Sequence, residues 1–190
     1  MPVQIGAKAH NFSDPTGLLS DCHRRIEMFL RSLEGVALVI DRPLTEEARA
    51  ALESALRYFR EAAPKHTADE EESLFPRLRQ MRNPNVESAI QNLELLEDEH
   101  RLAGPLHAEV EELGQECLAT GNLSSAKAAA FGKAIASLVS MYKQHISTED
   151  DLVFPLAARL LSPADKAAIA AEMAARRKVR LSASVPNILV

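Results

Sequence analysis

A chain of 190 residues fits one domain, and a 46% share of hydrophobic residues is enough for a sizeable core. The net charge of −5, from 22 basic and 27 acidic residues, argues against a nucleic-acid surface, and no apolar run approaches the length that spans a membrane. Residues 1–10 lack the apolar core of a signal peptide, and Cys22 and Cys117 make no disulfide framework, so a reducing, cytoplasmic setting is expected.

There is no Trp, and aromatics are 4% of the chain, so the core must be aliphatic. Ala, Leu, Glu and Arg dominate and β-branched runs are few, which predicts an all-α protein. Residues 1–13 form an arm without strong periodicity. Asp14-Pro15 is a helix-start signal, and the first helix is predicted to run to about Glu34, where Gly35 is a stop. After the loop Asp41-Arg42-Pro43, Thr45 caps a second helix reaching about Gln80, with a kink or break at Pro64. Asn83-Pro84-Asn85 is a turn. The third helix spans about Val86 to Ala119 and should kink at Gly104-Pro105. Thr120-Gly121-Asn122 is a turn, and Ser124 or Ser125 caps a fourth helix that reaches about Leu161. Ser162-Pro163-Ala164-Asp165 starts a fifth helix with a capping box; it ends near Arg180, before a tail of residues 181–190.

Short connections make successive helices antiparallel neighbours. The expected fold is an up-down-up-down four-helix bundle over residues 14–161 with an additional C-terminal helix over 162–180. The apolar face of that last helix, with Ile169 and Met173, either packs on the bundle or serves a homodimer contact.

One pattern occurs twice. His66 is followed four residues later by Glu70 and then by Phe75-Pro76; His145 is followed by Glu149 and then by Phe154-Pro155. The offsets are identical, and the acidic runs Glu70-Glu71-Glu72 and Glu149-Asp150-Asp151 repeat with them. This is an internal duplication, with αα-hairpins at about 14–82 and 83–161. Each hairpin carries a lone His followed by Arg on its first helix, His23-Arg24 and His100-Arg101.

Residues at i and i+4 of a helix lie one turn apart on nearly the same face, so an imidazole and a carboxylate so placed can converge on one ion. Such spacing is common on helix surfaces, and His23/Glu27 and His107/Glu111 show it too, as surface partners. Position decides more than spacing. The stripe Ile135, Leu138, Tyr142, His145, Glu149, Leu152 and Leu156 has core periodicity, interrupted by His145 and Glu149. The stripe Leu52, Leu56, Phe59, Ala63, His66, Glu70 and Leu74 repeats this, and His23, His100 and His107 also fall on apolar seams. Two carboxylates in a bundle core repel and need compensation, which a pair of cations supplies. Four His and two Glu suit a dinuclear non-haem iron site; manganese, zinc or a mixed pair is also compatible. Structural zinc more often takes Cys, and calcium and magnesium prefer all-oxygen shells.

On His23, His66-x-x-x-Glu70, His100 and His145-x-x-x-Glu149, over roughly Asp14 to Leu160, the sequence resembles the hemerythrin family in its HHE cation-binding form. The resemblance implies two non-haem iron ions with an oxo or hydroxo bridge, held by those six residues. In the oxygen carriers of that family the third helix supplies two His four apart. Here the place after His100 is Gly104, so that His is missing. The departure bears on reversible O2 carriage and leaves metal binding untouched.

Three further residues are candidates for the site. Tyr142 can serve a bound oxygen species or the metal, or be a core Tyr satisfied by the backbone. Glu97 is a possible carboxylate ligand or part of a solvated face. His107 lies about 10 Å beyond His100 on an undistorted helix, which makes it an outer support or a plain buried His. Cys22 diverges by about 100° from its neighbour His23 and reads as packing. The expected function is binding of O2, NO or a related small ligand for sensing, storage or buffering. The other reading is a di-iron redox enzyme with peroxidase, NO-consuming or iron–sulfur-repair activity. Neither reading needs nucleic acid or membrane as a partner.

Overall fold

A computed structural model describes residues 10–81 and 87–181, with the side chains of residues 88 and 89 left aside. Most of the N-terminal arm, the predicted Asn83-Pro84-Asn85 turn at the midpoint of the duplication, and the tail beyond Leu181 lie outside the described residues. The described chain is all-helical, without strands. The first arm is α1 (Pro15–Ala37). The second runs through α2 (Glu46–Glu61), α3 (Ala63–Ala68), a π-helical turn (Asp69–Leu74) and α4 (Phe75–Gln80). The third is α5 (Glu87–Thr120), and the fourth is α6 (Ser125–Thr148), a second π turn (Glu149–Val153) and α7 (Phe154–Leu160). The additional helix is α8 (Pro163–Arg176).

Capping residues set most of these starts. Asp14 accepts from the Gly17 amide ahead of Pro15, Thr45 from Ala48 and Ser124 from Lys127. Ser162 and Asp165 close the predicted capping box. Ends are less faithful to the sequence. Gly35 does not stop α1, because Val36 and then Ile40 are buried and their packing carries the helix on to Ala37. The last helix stops at Arg176 rather than near Arg180. Lys178 there takes a left-handed conformation, with φ of 55°, and the Val179 amide returns to the Ala174 carbonyl. Pro64 breaks the second arm at Ala62, whereas α5 continues through Pro105.

The four arms pack in a ring, α1 against α2 and α6, and α5 against α6 and α2. At one end the two connections are tied together, with Leu123 donating to the Ile40 carbonyl and Leu44 to that of Gly121. Gly121 has φ of 94°, which a side chain would resist. The core has two main apolar compartments. One holds Ile26, Leu30, Leu33, Leu52, Leu56, Val110, Phe131 and Leu138. The other holds Leu19, Leu74, Phe75, Leu93, Leu96, Val153 and Phe154, together with Ile169 and Met173 of α8. The apolar face of α8 that could have served a dimer contact is thus packed into its own chain. His23 lies between Leu19 and Ile26, and His100 between Leu96 and Ala103, so the polar residues form a layer between the two compartments.

Candidate metal centre

The two π turns sit where each Phe-Pro follows its His-x-x-x-Glu pair. Pro76 and Pro155 have no N–H, and in an α-helix their rings would meet the carbonyls of Glu72 and Asp151. Widening the preceding turn by one residue relieves that clash. Accordingly Phe75 donates back to the Glu70 carbonyl and Phe154 to that of Glu149, each five residues away. The wider turn also rotates the stripe. Leu152, expected in the core, is 40% exposed, and Val153 is fully buried in its place.

The six residues marked by the repeat meet at one level of the bundle. His23 Nε2 lies 3.0 Å from Glu149 Oε2 and 3.9 Å from Glu70 Oε1. His66 Nε2 is 3.2 Å from Glu70 Oε1, and His145 Nε2 is 3.2 Å from Glu149 Oε2. His100 Nε2 is 3.6 Å from Glu70 Oε2 and 3.1 Å from His145 Nε2. Two sets emerge, His23, His66, Glu70 and Glu149, and His100, His145 and Glu149. Within each, the potential ligand atoms lie within 4.8 Å of one another, and Glu149 belongs to both.

These atoms approach without satisfying each other. His23 Nε2 and all four carboxylate oxygens of Glu70 and Glu149 are buried with no directed hydrogen bond among the described residues. Both carboxylates are fully buried. Unmet polar atoms at this depth are costly, and their convergence is the arrangement a cation satisfies. The charge pattern agrees. Burial, and then Glu149, push the Glu70 carboxyl well above its usual range. Burial also opposes charge on Glu149, but His145 and His23 outweigh it and hold that carboxyl low. Burial opposes charge on His23, yet Asp150 and Glu149 raise it to about 9. Burial and neighbouring imidazoles push His66 well down. Burial and mutual repulsion thus disfavour two bare carboxylates in this layer, and a bound cation would relieve both. The donors fit iron or a similar transition metal.

Three of the four imidazoles are held from behind. His23 Nδ1 donates to Asp150 at 3.0 Å, His100 Nδ1 to Glu71 at 2.8 Å, and His145 Nδ1 to Glu99 at 2.8 Å. A carboxylate there fixes the ring and aims Nε2 at the interior, where it can serve a metal once unprotonated. Asp150 also accepts from Ser20, and His23 stacks on Phe154 of the repeat, with centroids 5.2 Å apart. Sequence reasoning missed these carboxylates. The repeated acidic runs were the signal for Glu71 and Asp150; Glu99 has no counterpart in the first hairpin and so no signal.

Of the remaining candidates, Tyr142 and His107 meet each other, with Oη and Nε2 3.0 Å apart. Burial alone lowers His107 to about 4, and Phe59 packs on its ring. Glu97 turns to Arg79 instead, at 2.7 Å, and is not among the converging atoms. Glu111 and Glu27 also choose arginines, Arg60 at 2.6 Å and Arg31 at 3.9 Å, rather than their i−4 histidines. For Glu111 a permanently charged guanidinium is a better partner than His107, which burial holds neutral, while His23 is already engaged by Asp150 and Glu149.

The description of the hemerythrin HHE cation binding domain matches residues 14–170. The chain belongs to the hemerythrin family. The match runs from the start of α1 into α8, past the Leu160 limit of the sequence resemblance. A relative from Haemophilus influenzae, described as an uncharacterized protein, is 27% identical over 171 residues, which cover 89% of this chain and 93% of that one. No solved structure matches. Among the described residues, no helix of this hemerythrin-like chain is long and apolar enough to cross a membrane.

Proposed function

We propose that this hemerythrin-like protein is a cytoplasmic di-iron protein whose centre binds O2, NO or a related small ligand for sensing, storage or buffering. His23, His66, Glu70, His100, His145 and Glu149 would hold the metal; Glu149 belongs to both sets of donors, and Glu70 Oε2 lies 3.6 Å from His100 Nε2 of the other set. Iron, when bound, supplies an open coordination position and a change of oxidation state.

The observation that carries this reading is a cavity of about 280 Å³ beside His100, lined by Phe59, Ala63, Pro64, Ala103, Gly104 and the Tyr142–His107 pair. It lies where a second His of α5 would stand, and a Cβ built on Gly104 meets nothing within 4 Å. Most of its lining is apolar, and Thr67, His107 and the Tyr142 hydroxyl are the polar groups beside His100 that a small ligand there would meet. The same polar pair favours the second reading, a redox enzyme, since it can pass a proton to a ligand in the cavity.

Metal content with an anaerobic-to-aerobic visible spectrum tests the proposal. The expected result is two irons per chain, with bands that appear on oxygenation. His66→Ala and Glu149→Ala should each abolish stoichiometric loading; unchanged iron in both refutes the site. Many turnovers of peroxide or NO with an added reductant select the enzyme, and a single stoichiometric reaction selects the binding protein.

A further inference from the structure

The two halves of the site are built from the same repeat and supported differently. Glu71 and Asp150 occupy the same place, immediately after Glu70 and Glu149. Each reaches across to the lone His of the other hairpin, Glu71 to His100 and Asp150 to His23. To that extent the support is symmetric. The residue before each lone His breaks the symmetry. In the second hairpin it is Glu99, whose carboxylate accepts from His145 Nδ1 at 2.8 Å. In the first it is Cys22, which cannot play that part. Its thiol takes a contact from Arg25 Nη2 at 2.9 Å, and His66 Nδ1 is buried with no hydrogen-bond partner among the described residues.

We infer that the two metal positions are unequal by construction. The position at His100 and His145 binds its ion more tightly than the position at His23 and His66, and Glu99 is the positioning residue that makes the difference. Both histidines of the first pair are oriented by carboxylates, whereas in the second pair His23 alone is. A carboxylate behind an imidazole fixes its tautomer and raises its basicity as a ligand, and removing such a partner costs about 10–100-fold in metal affinity. A gap of that size makes the His66 position the one that fills last and empties first. It also makes a one-iron form a defined species, with its ion at the His100 side. The inference rests on the two-metal reading above and adds an order to it.

The test is release of Fe(II) from the loaded, full-length protein to an excess of coloured chelator under anaerobic conditions. The wild type should release two irons in two equal phases, with rates at least about tenfold apart. Glu99→Ala should speed the slow phase by about 10–100-fold, so that the phases merge, and leave the fast phase where it was. Glu99→Gln keeps an acceptor without the charge and should fall between the two. Mössbauer spectra of the half-loaded protein give a second readout, one doublet in the wild type and a mixture in Glu99→Ala. Two irons released in one phase by the wild type, or a slow phase unmoved by Glu99→Ala, would overturn the inference and leave the di-iron reading standing. A wild type that takes up no iron would overturn both.

Discussion

Asp69 offers the sharpest test of how α8 is fastened to the site. It begins the first π turn, next to Glu70, and its carboxylate is fully buried. Arg176 reaches one oxygen at 2.9 Å and Arg177 the other at 2.6 Å. Arg176 also holds Glu72 and Ser73, each at 2.9 Å, so the end of α8 grips one face of the turn. Arg77 adds a two-pronged contact from α4 to Glu172 of α8. Removing one partner of a buried ion pair costs about 3–5 kcal/mol. Two features lower that range here. The arginine side chains are 20% exposed, and Arg176 keeps Glu72 and Ser73 when Asp69 is gone. Asp69→Ala should therefore destabilise the protein by about 2–3 kcal/mol. In a domain of this size that lowers Tm by roughly 4–12 °C.

The assay is thermal and urea unfolding of the metal-free protein, so that no loss of bound metal is counted. Asp69→Asn preserves the shape and removes the charge, and should cost nearly as much as Asp69→Ala. A change under about 0.5 kcal/mol in Asp69→Ala would refute the reasoning, because it would place these arginines with the many surface pairs that contribute little. A full loss in Asp69→Ala with none in Asp69→Asn would assign the effect to packing.

Other outcomes follow from single positions. Gly104→Ala should stabilise the protein by about 0.5–1 kcal/mol in urea unfolding, since its Cβ meets nothing within 4 Å in mid-helix. Gly114→Ala should do the opposite, costing about 1 kcal/mol, because its Cβ falls 2.7 Å from Leu56 Cδ1 in the packed core. His107 is lowered from 6.5 to about 4, so between those values the unfolded chain takes a proton that the folded chain refuses. The His107 contribution to stability should fall as pH drops through that window, by up to about 3 kcal/mol, and be constant above it; His107→Gln should remove this component of the slope. Tyr142→Phe leaves His107 Nε2 without its hydroxyl partner and should cost about 1–2 kcal/mol. It should also shift the visible spectrum or autoxidation rate of the iron-loaded protein; unchanged values would return Tyr142 to the core.

The sequence was most legible where two independent periods agreed. The 3-4 apolar stripes gave the helices, and the repeated His-x-x-x-Glu gave the level at which they meet. Capping residues marked most starts because an orphaned amide needs a nearby acceptor. Ends were harder to read, since Gly35 and Lys178 are decided by tertiary packing and backbone handedness rather than by local preference. Leu152 shows the limit of a fixed period. The stripe was right at Glu149 and again at Leu156, and failed at Leu152 between them, inside the wider turn. A Pro ten residues after the His was visible, but its effect on phase was not. Glu97 failed for a different reason. Spacing puts it one turn from His100, and only the fold brings Arg79 beside it.

The duplication makes a site as well as a bundle because two neighbouring acidic residues in each copy face different partners. An uninterrupted α-helix would keep each Glu and the acidic residue after it about 100° apart. One would then point inward and the other toward the flank. In the structure Glu70 and Glu149 do point inward, while Glu71 and Asp150 reach the far side of the opposite hairpin's lone His. One short segment thus supplies an inner donor to its own half and an outer acceptor to the other. A change in either acidic segment therefore reaches a histidine of the other hairpin, whereas Glu99 acts within its own. A Phe-Pro step placed just after the acidic run fixes the segment's geometry in each copy. Pro76→Ala tests this. If the ring enforces the wider turn, restoring the N–H should let the segment relax toward a plain α-helix. Iron stoichiometry should then fall while helix content by far-UV circular dichroism stays level. Full iron loading in Pro76→Ala would mean that the surrounding packing, and not the ring, holds the turn.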